Sequence, residues 1–164
     1  MTRHRLHNKD WDFDTNCFVC EPMNDRGLRI AFFLDDEREL VTAEFELTDA
    51  FSGAPTLVHG GVTLAVMDEA MAWACIAIGR QWAVTTETTT RFRRAVRVGS
   101  RYHVEARIED HVGDELHAAA RLFDRRDQLR VESSATFATL GEAQAVGFSG
   151  VAVSDANRSF LRDG

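Results

Sequence analysis

The residues from 60 to about 78 constrain the fold of this chain more than any other stretch. Val62, Ala65, Val66, Ala70, Trp73, Ala74 and Ala77 recur there near helical spacing, with few polar side chains between them. A helix that is apolar nearly all round must be covered nearly all round. Gly79 supplies a C-terminal stop.

The cover is legible on both sides of that helix. Residues 28–34 read as a strand with Leu28, Ile30, Phe32 and Leu34 on one face. Residues 40–47 alternate Val41, Ala43, Phe45 and Leu47 with Thr42, Glu44 and Glu46. After the helix come strand patterns over 83–94, 102–108, 115–123 and 129–140, the first rich in threonine. The loops between them are short, Val112-Gly113-Asp114 and Asp124-Arg125-Arg126-Asp127, so the neighbours are antiparallel. The expected class is α+β, an antiparallel sheet of about six strands curled round one long central helix. Residues 1–16 read as a polar arm, 17–140 as the domain, and 141–164 as a tail that is loose or a docking extension.

With 164 residues, a single domain with a real core is the natural expectation. No apolar run in the sequence approaches the roughly 20 residues that cross a bilayer. The first ten residues are polar and lack an apolar signal core, which points to a cytoplasmic protein without membrane partners. A net charge of −7 argues against general nucleic-acid binding. Arg91, Arg93, Arg94, Arg97 and Arg101 nevertheless crowd one segment. Such a patch fits a nucleotide phosphate, or it is a solvated strand edge that discourages aggregation.

Cys17 and Cys20 form a lone Cys-x-x-Cys, and Cys75 lies in the apolar helix. A zinc site would need two further ligands at suitable spacing. Reduced thiols and no metal or cofactor are therefore expected.

The chemistry is concentrated in Val58-His59-Gly60-Gly61, at the mouth of the helix, and in Asp68 within it. A helix start leaves N–H groups unpaired and partly positive, and glycine lets a ligand approach them. Gly60 or Gly61 can therefore stabilise an oxyanion while Asp68 acts as base or nucleophile. Asp68 has Leu64, Ala65, Met71 and Ala72 as helical neighbours, a setting that disfavours an idle charge. Glu69 points about 100° away and is read as pairing with an arginine. His59 either contacts the reacting group or caps the glycine turn, the second being favoured. One hydroxyl among Thr85, Thr86, Thr88, Thr89 and Thr90 can orient a water beside Asp68. Pocket depth is expected to depend on Met71, Trp73, Trp82 and Phe92.

Eight residues of helix separate Gly60 from Asp68 by about 12 Å. Both groups can act on one carbonyl only if a second, antiparallel copy brings its Asp68 near the first copy's Gly60. The expectation is a homodimer with composite sites, open to pairing into a dimer of dimers.

Residues 17–140 resemble the PaaI-like hotdog-fold thioesterases. The resemblance rests on Cys17-Phe18-Val19-Cys20 followed by Gly27-Leu28-Arg29-Ile30, on the loop from Phe51 to Gly61, and on Asp68 nine residues after His59. It implies hydrolysis of acyl-CoA to a free acid and CoA. Gly60 N–H would polarise the carbonyl, and Asp68 of the partner would activate water or attack directly. Thr85 falls where members carry a Ser or Thr that holds the water or the carboxylate. Phe92, Arg93, Arg94 and Arg97 fall where related proteins contact CoA. Asp114 stands where some relatives have a basic CoA contact, a departure from the pattern. A non-catalytic acyl-CoA-binding protein and a hotdog hydratase or dehydratase are the alternatives.

Overall fold

The structure is a computed structural model and describes residues 3–12 and 15–163. At its centre lies helix α1, Gly60–Ala77. Val66, Met67, Ala70, Met71, Ala74 and Cys75 are at most 1 % exposed. Burying a side chain the size of Val or Met stabilises the fold by roughly 1.5–3 kcal/mol. By length and composition alone α1 could cross a membrane, contrary to the sequence expectation. Its packing against the sheet instead makes it the core helix.

Before the helix come strands β1 (Arg3–Arg5), β2 (Phe32–Asp35) and β3 (Leu40–Glu46). A small hairpin, β4 (Ser52–Ala54) and β5 (Leu57–Val58), leads into it. After it come β6 (Ala83–Phe92), β7 (Arg101–Val112), β8 (Glu115–Asp124) and β9 (Leu129–Thr139). Apart from the hairpin, the strands form one 7-stranded antiparallel sheet in the order β1-β2-β3-β7-β8-β9-β6. The expected helix in a curled antiparallel sheet is thus present, with β1 as an additional edge strand. Arg3 reaches across to the buried Thr42 hydroxyl at 2.7 Å and supplies it with a hydrogen-bond donor.

The structure departs from the sequence pattern in two places. Only the second half of 28–34 is strand, because Arg29 takes a left-handed φ of 54°. The first half bends back instead: Leu28 N–H and Ile30 N–H donate to the Phe18 and Val19 carbonyls at 2.8 and 2.9 Å. The tail is also ordered against the body rather than loose. Helix α2, Glu142–Ser149, and a turn at Arg158–Phe160 build a second apolar cluster from Trp82, Leu140, Ala145, Val153, Phe160 and Leu161. The arm docks on the tail. Trp11 packs edge-on to Phe160, and the Asp12 carboxylate accepts from Ser154 N–H, Ser154 Oγ and Asn157 Nδ2 at 3.0, 2.7 and 2.9 Å.

Gly79 ends α1 for a steric reason. A Cβ there would lie 2.8 Å from the Cys75 carbonyl oxygen. The left-handed residue is the next one, Arg80, at φ 57°.

Candidate active site

The hairpin sets the start of α1. Val58 N–H donates to Val96 O at 3.0 Å and His59 N–H to Phe51 O at 2.9 Å, so backbone fixes the entry of the helix. His59 is the N-cap, and its Nδ1 accepts from Gly61 N–H at 2.9 Å. The ring therefore caps the glycine turn, and Gly61 N–H is occupied. Gly60 N–H finds no acceptor among the described residues. A Cβ at Gly60 would meet only Phe92 Cζ, at 3.8 Å. The fold itself does not demand a glycine there, and its missing side chain leaves the N–H open to approach. Phe92, 49 % exposed, stands beside that opening.

Asp68 is half-buried in the middle of α1, and the Thr85 hydroxyl donates to its Oδ1 at 2.7 Å. One carboxylate oxygen is thereby held by the hydroxyl. A β-bulge in β6 makes this possible. Thr85 pairs with Phe137 of β9, but Glu87 pairs with Thr136, so Thr86 is an extra residue. Residues before the bulge face the helix at odd positions and residues after it at even ones. Phe92 lies opposite the fully buried Val131. Thr85 and Phe92 stand an odd number of positions apart, which in a regular strand would put them on opposite faces. Across the bulge, one strand delivers Thr85 to Asp68 and Phe92 to Gly60.

Glu69 does not pair with an arginine. Its carboxylate turns to the N-terminal loop, where Cys17 Sγ donates to Glu69 Oε1 at 3.4 Å. Burial pushes the Glu69 carboxyl up to about 8, and the charge at Cys17 adds to the shift. Cys17 is lowered to about 5, first by the hydrogen bond from the Cys20 thiol. The Cys20 thiol is raised by its bond to Cys17 and by burial. Cys75 belongs to the core.

The arginines divide. Arg93 lies against Glu132, its Nε donating at 3.0 Å, and is neutralised on the outer face of the sheet. Arg94 is exposed, and its guanidinium has no ion-pair partner among the described residues. Arg97 is strapped to the hairpin: it bridges Leu57, and its Nη1 donates to Thr56 Oγ1 at 3.5 Å. It lines a hollow of about 210 Å³ with Arg101, Arg125, Arg126 and Arg130. Arg130 is paired with Asp124. Arg125 and Arg126 read from sequence as turn residues only; their charge run is the available signal. Asp114 binds Arg162 of the tail at 2.8 Å, so its charge is taken up internally.

A larger hollow, about 520 Å³, opens between α1, the start of β6 and α2. Ile76, Trp82, Val84, Leu140, Phe148 and Val151 line it. Of the residues expected to set pocket depth, Met71 and Trp73 are sealed in the core and Trp82 forms a wall.

One long helix wrapped by a curled antiparallel sheet is the hotdog fold. Residues 56–130, which take in α1 and strands β6 to β8, match the family model of the thioesterase superfamily. Among solved structures, a thioesterase superfamily protein aligns with TM-score 0.71 at 21 % identity, over 75 % of this chain and 60 % of its own length. The chain thus spans less than two thirds of that protein. The E. coli PaaI protein from the phenylacetic acid degradation operon aligns with TM-score 0.57 at 17 % identity, over 60 % of this chain and 75 % of its own. A Streptococcus mutans protein bound to acetyl-CoA aligns with TM-score 0.59 at 16 % identity, over 63 % of this chain and 82 % of its own. At these identities the likeness is one of fold. No curated protein matches the sequence.

Proposed function

We propose that this protein is an acyl-CoA thioesterase working as a homodimer. The Thr85 hydroxyl holds Asp68 at 2.7 Å on a helix whose first N–H, at Gly60, has no acceptor among the described residues, and this combination carries the assignment. The two groups lie about 12 Å apart along one helix, too far for a single carbonyl. Two features of the subunit call for a second copy. Leu64, Ala65, Ala72 and Ile76 leave an apolar stripe half exposed around Asp68. Strand β6 is bonded on one side only and offers an open edge of ten residues. Covering both with an antiparallel copy sets Asp68 of the partner subunit near Gly60.

In that arrangement Gly60 N–H polarises the thioester C=O. The free oxygen of Asp68 takes a proton from water, and the water oxygen bonds to the carbonyl carbon. The C–S bond then breaks, and the sulfur leaves with that proton as CoA thiol. A direct attack by Asp68, through a mixed anhydride opened by water, fits the same geometry. The arginine hollow beside Arg97 suits the nucleotide phosphates, and the 520 Å³ apolar hollow next to Val84 suits the acyl chain. The acetyl-CoA held by the Streptococcus mutans neighbour supports the substrate class. A hydratase would need a free catalytic His, and the His59 ring is engaged in capping.

The test is thiol release from a panel of acyl-CoA esters. Asp68→Asn is expected to lower kcat by at least about 10²-fold. Undiminished turnover in that variant refutes the role of Asp68, and no release from any ester by the wild type leaves a binding protein.

A further inference from the structure

Cys17, Cys20 and Glu69 form a cluster that the proposed hydrolysis does not use. One ligand atom from each lies within 4.8 Å of the others. The sulfurs come from a turn in the N-terminal loop and the carboxylate from the middle of α1, so the group exists only in the folded chain. Val19 N–H and Cys20 N–H point at Cys17 Sγ at 3.3 and 3.4 Å, donors placed for a thiolate. Asn8 Nδ2 donates to Cys20 Sγ at 3.2 Å. No lysine or arginine among the described residues forms an ion pair with Glu69.

Three groups that can each carry a negative charge therefore share one half-buried place without a cationic side chain to balance them. Protons can hold such a trio together, and so can one divalent ion. We infer that Cys17, Cys20 and Glu69 bind a zinc-type divalent cation. Two thiolates select a borderline-soft metal over magnesium or calcium, and a carboxylate oxygen completes a three-ligand set that suits tetrahedral zinc. Cys20 also lines a hollow of about 130 Å³ with His7, Asn8 and Lys9, from which water or the His7 ring can supply a fourth ligand. Binding displaces the protons held by the thiols and the carboxyl and transfers no electrons.

The location gives the ion a task. Residues 17–30 are held by short local bonds, including Asn24 Nδ2 to the Asn16 and Cys17 carbonyls at 3.1 and 3.3 Å. Cys17 to Glu69 is a cross-link from this loop to α1, one residue from Asp68. A bound ion would turn that weak thiol contact into a clamp and fix the rotation of α1 at the carboxylate beside it. The cluster would hold its ion whether or not the protein hydrolyses thioesters.

The experiment uses the full chain, reduced with a phosphine and stripped with a chelator, then titrated with Co²⁺. One equivalent is expected to bind with a sulfur-to-cobalt charge-transfer band, and Zn²⁺ should displace it and raise Tm. Cys17→Ser and Cys20→Ser should each weaken the band and together abolish it. Glu69→Gln should keep sulfur ligation but weaken binding by at least about tenfold. No stoichiometric uptake, or a band unchanged in the double cysteine variant, overturns the assignment. Zinc-edge X-ray absorption on the wild type probes the ligand set without a variant that must fold. Two sulfur neighbours and a shell completed by oxygen or nitrogen support the site, and a sulfur-free shell sinks it.

Discussion

The two flanks of α1 each present a carboxylate, and they are finished to different degrees. On the β6 flank, Asp68 receives one hydroxyl and is otherwise bordered by half-exposed apolar residues. On the loop flank, Glu69 is enclosed by Cys17 and Cys20 of its own chain. The residues are consecutive, so helix propensity and local sequence cannot separate them. The roughly 100° between successive residues does so, by sending each side chain to a different neighbour. The Asp68 side is left open, whereas the Glu69 side is filled by side chains of its own chain.

Substitutions can break or sharpen this contrast. The largest effect is expected at Asp68, where Asn should reduce kcat at least about 10²-fold in the thiol-release assay. Thr85→Ala removes a hydrogen bond to a charged group, roughly 1.5–3 kcal/mol, and should lower kcat about tenfold or more. If KM holds while Thr85→Ser restores kcat, Thr85 positions the carboxylate; a fall in Tm without a fall in kcat would make it merely structural.

Next comes the side closed by arm and tail. Asp12→Ala loses the bonds from Ser154 and Asn157 and should cost about 1–3 kcal/mol, read as a drop in Tm. Those bonds, Asn157 first, hold the Asp12 carboxyl below its ordinary value. Their contribution is therefore full above the unfolded value of about 3.9 and fades as pH falls through the lower folded one. The Tm gap between wild type and variant should close in acid; a gap that widens there contradicts the clasp. The smallest effect belongs to Arg94→Ala, a surface contact worth about 0.2–1 kcal/mol. It should raise KM for CoA esters by less than about tenfold and leave acyl-pantetheine esters unchanged, since about 1.4 kcal/mol is tenfold. Equal changes for both would rule out a contact between Arg94 and the nucleotide phosphates.

Much of the scaffold is legible because its residues contrast. Val41, Ala43, Phe45 and Leu47 alternate with polar neighbours, and all four are buried. Strand β1 escapes notice because Arg3-His4-Arg5 has no apolar face; its pairing to β2 is backbone bonding. Helix α2 escapes because, among its residues, only Ala145 is buried, too little for a period. In the candidate site, the capping role of His59 is legible from its place before the glycine pair, whereas the Thr85 contact to Asp68 needs coordinates. The Glu69 partners are illegible, since Cys17 precedes it by 52 positions and joins it only through the fold. The bulge is hidden for a different reason. Thr88-Thr89-Thr90 offers the same side chain to both faces, so a shift by one leaves no trace in the pattern.

That extra residue at Thr86 also governs which changes in chain length β6 can absorb. Deleting Thr86 would restore plain pairing and leave both functional side chains inward. Deleting any one residue between Glu87 and Arg91 would likewise let Thr85 keep Phe137 and Phe92 keep Val131 without a bulge, whereas inserting one beside an unchanged bulge would turn the Phe92 ring out to solvent while Thr85 stayed in place. This strand should therefore tolerate the loss of one residue and be punished for the gain of one.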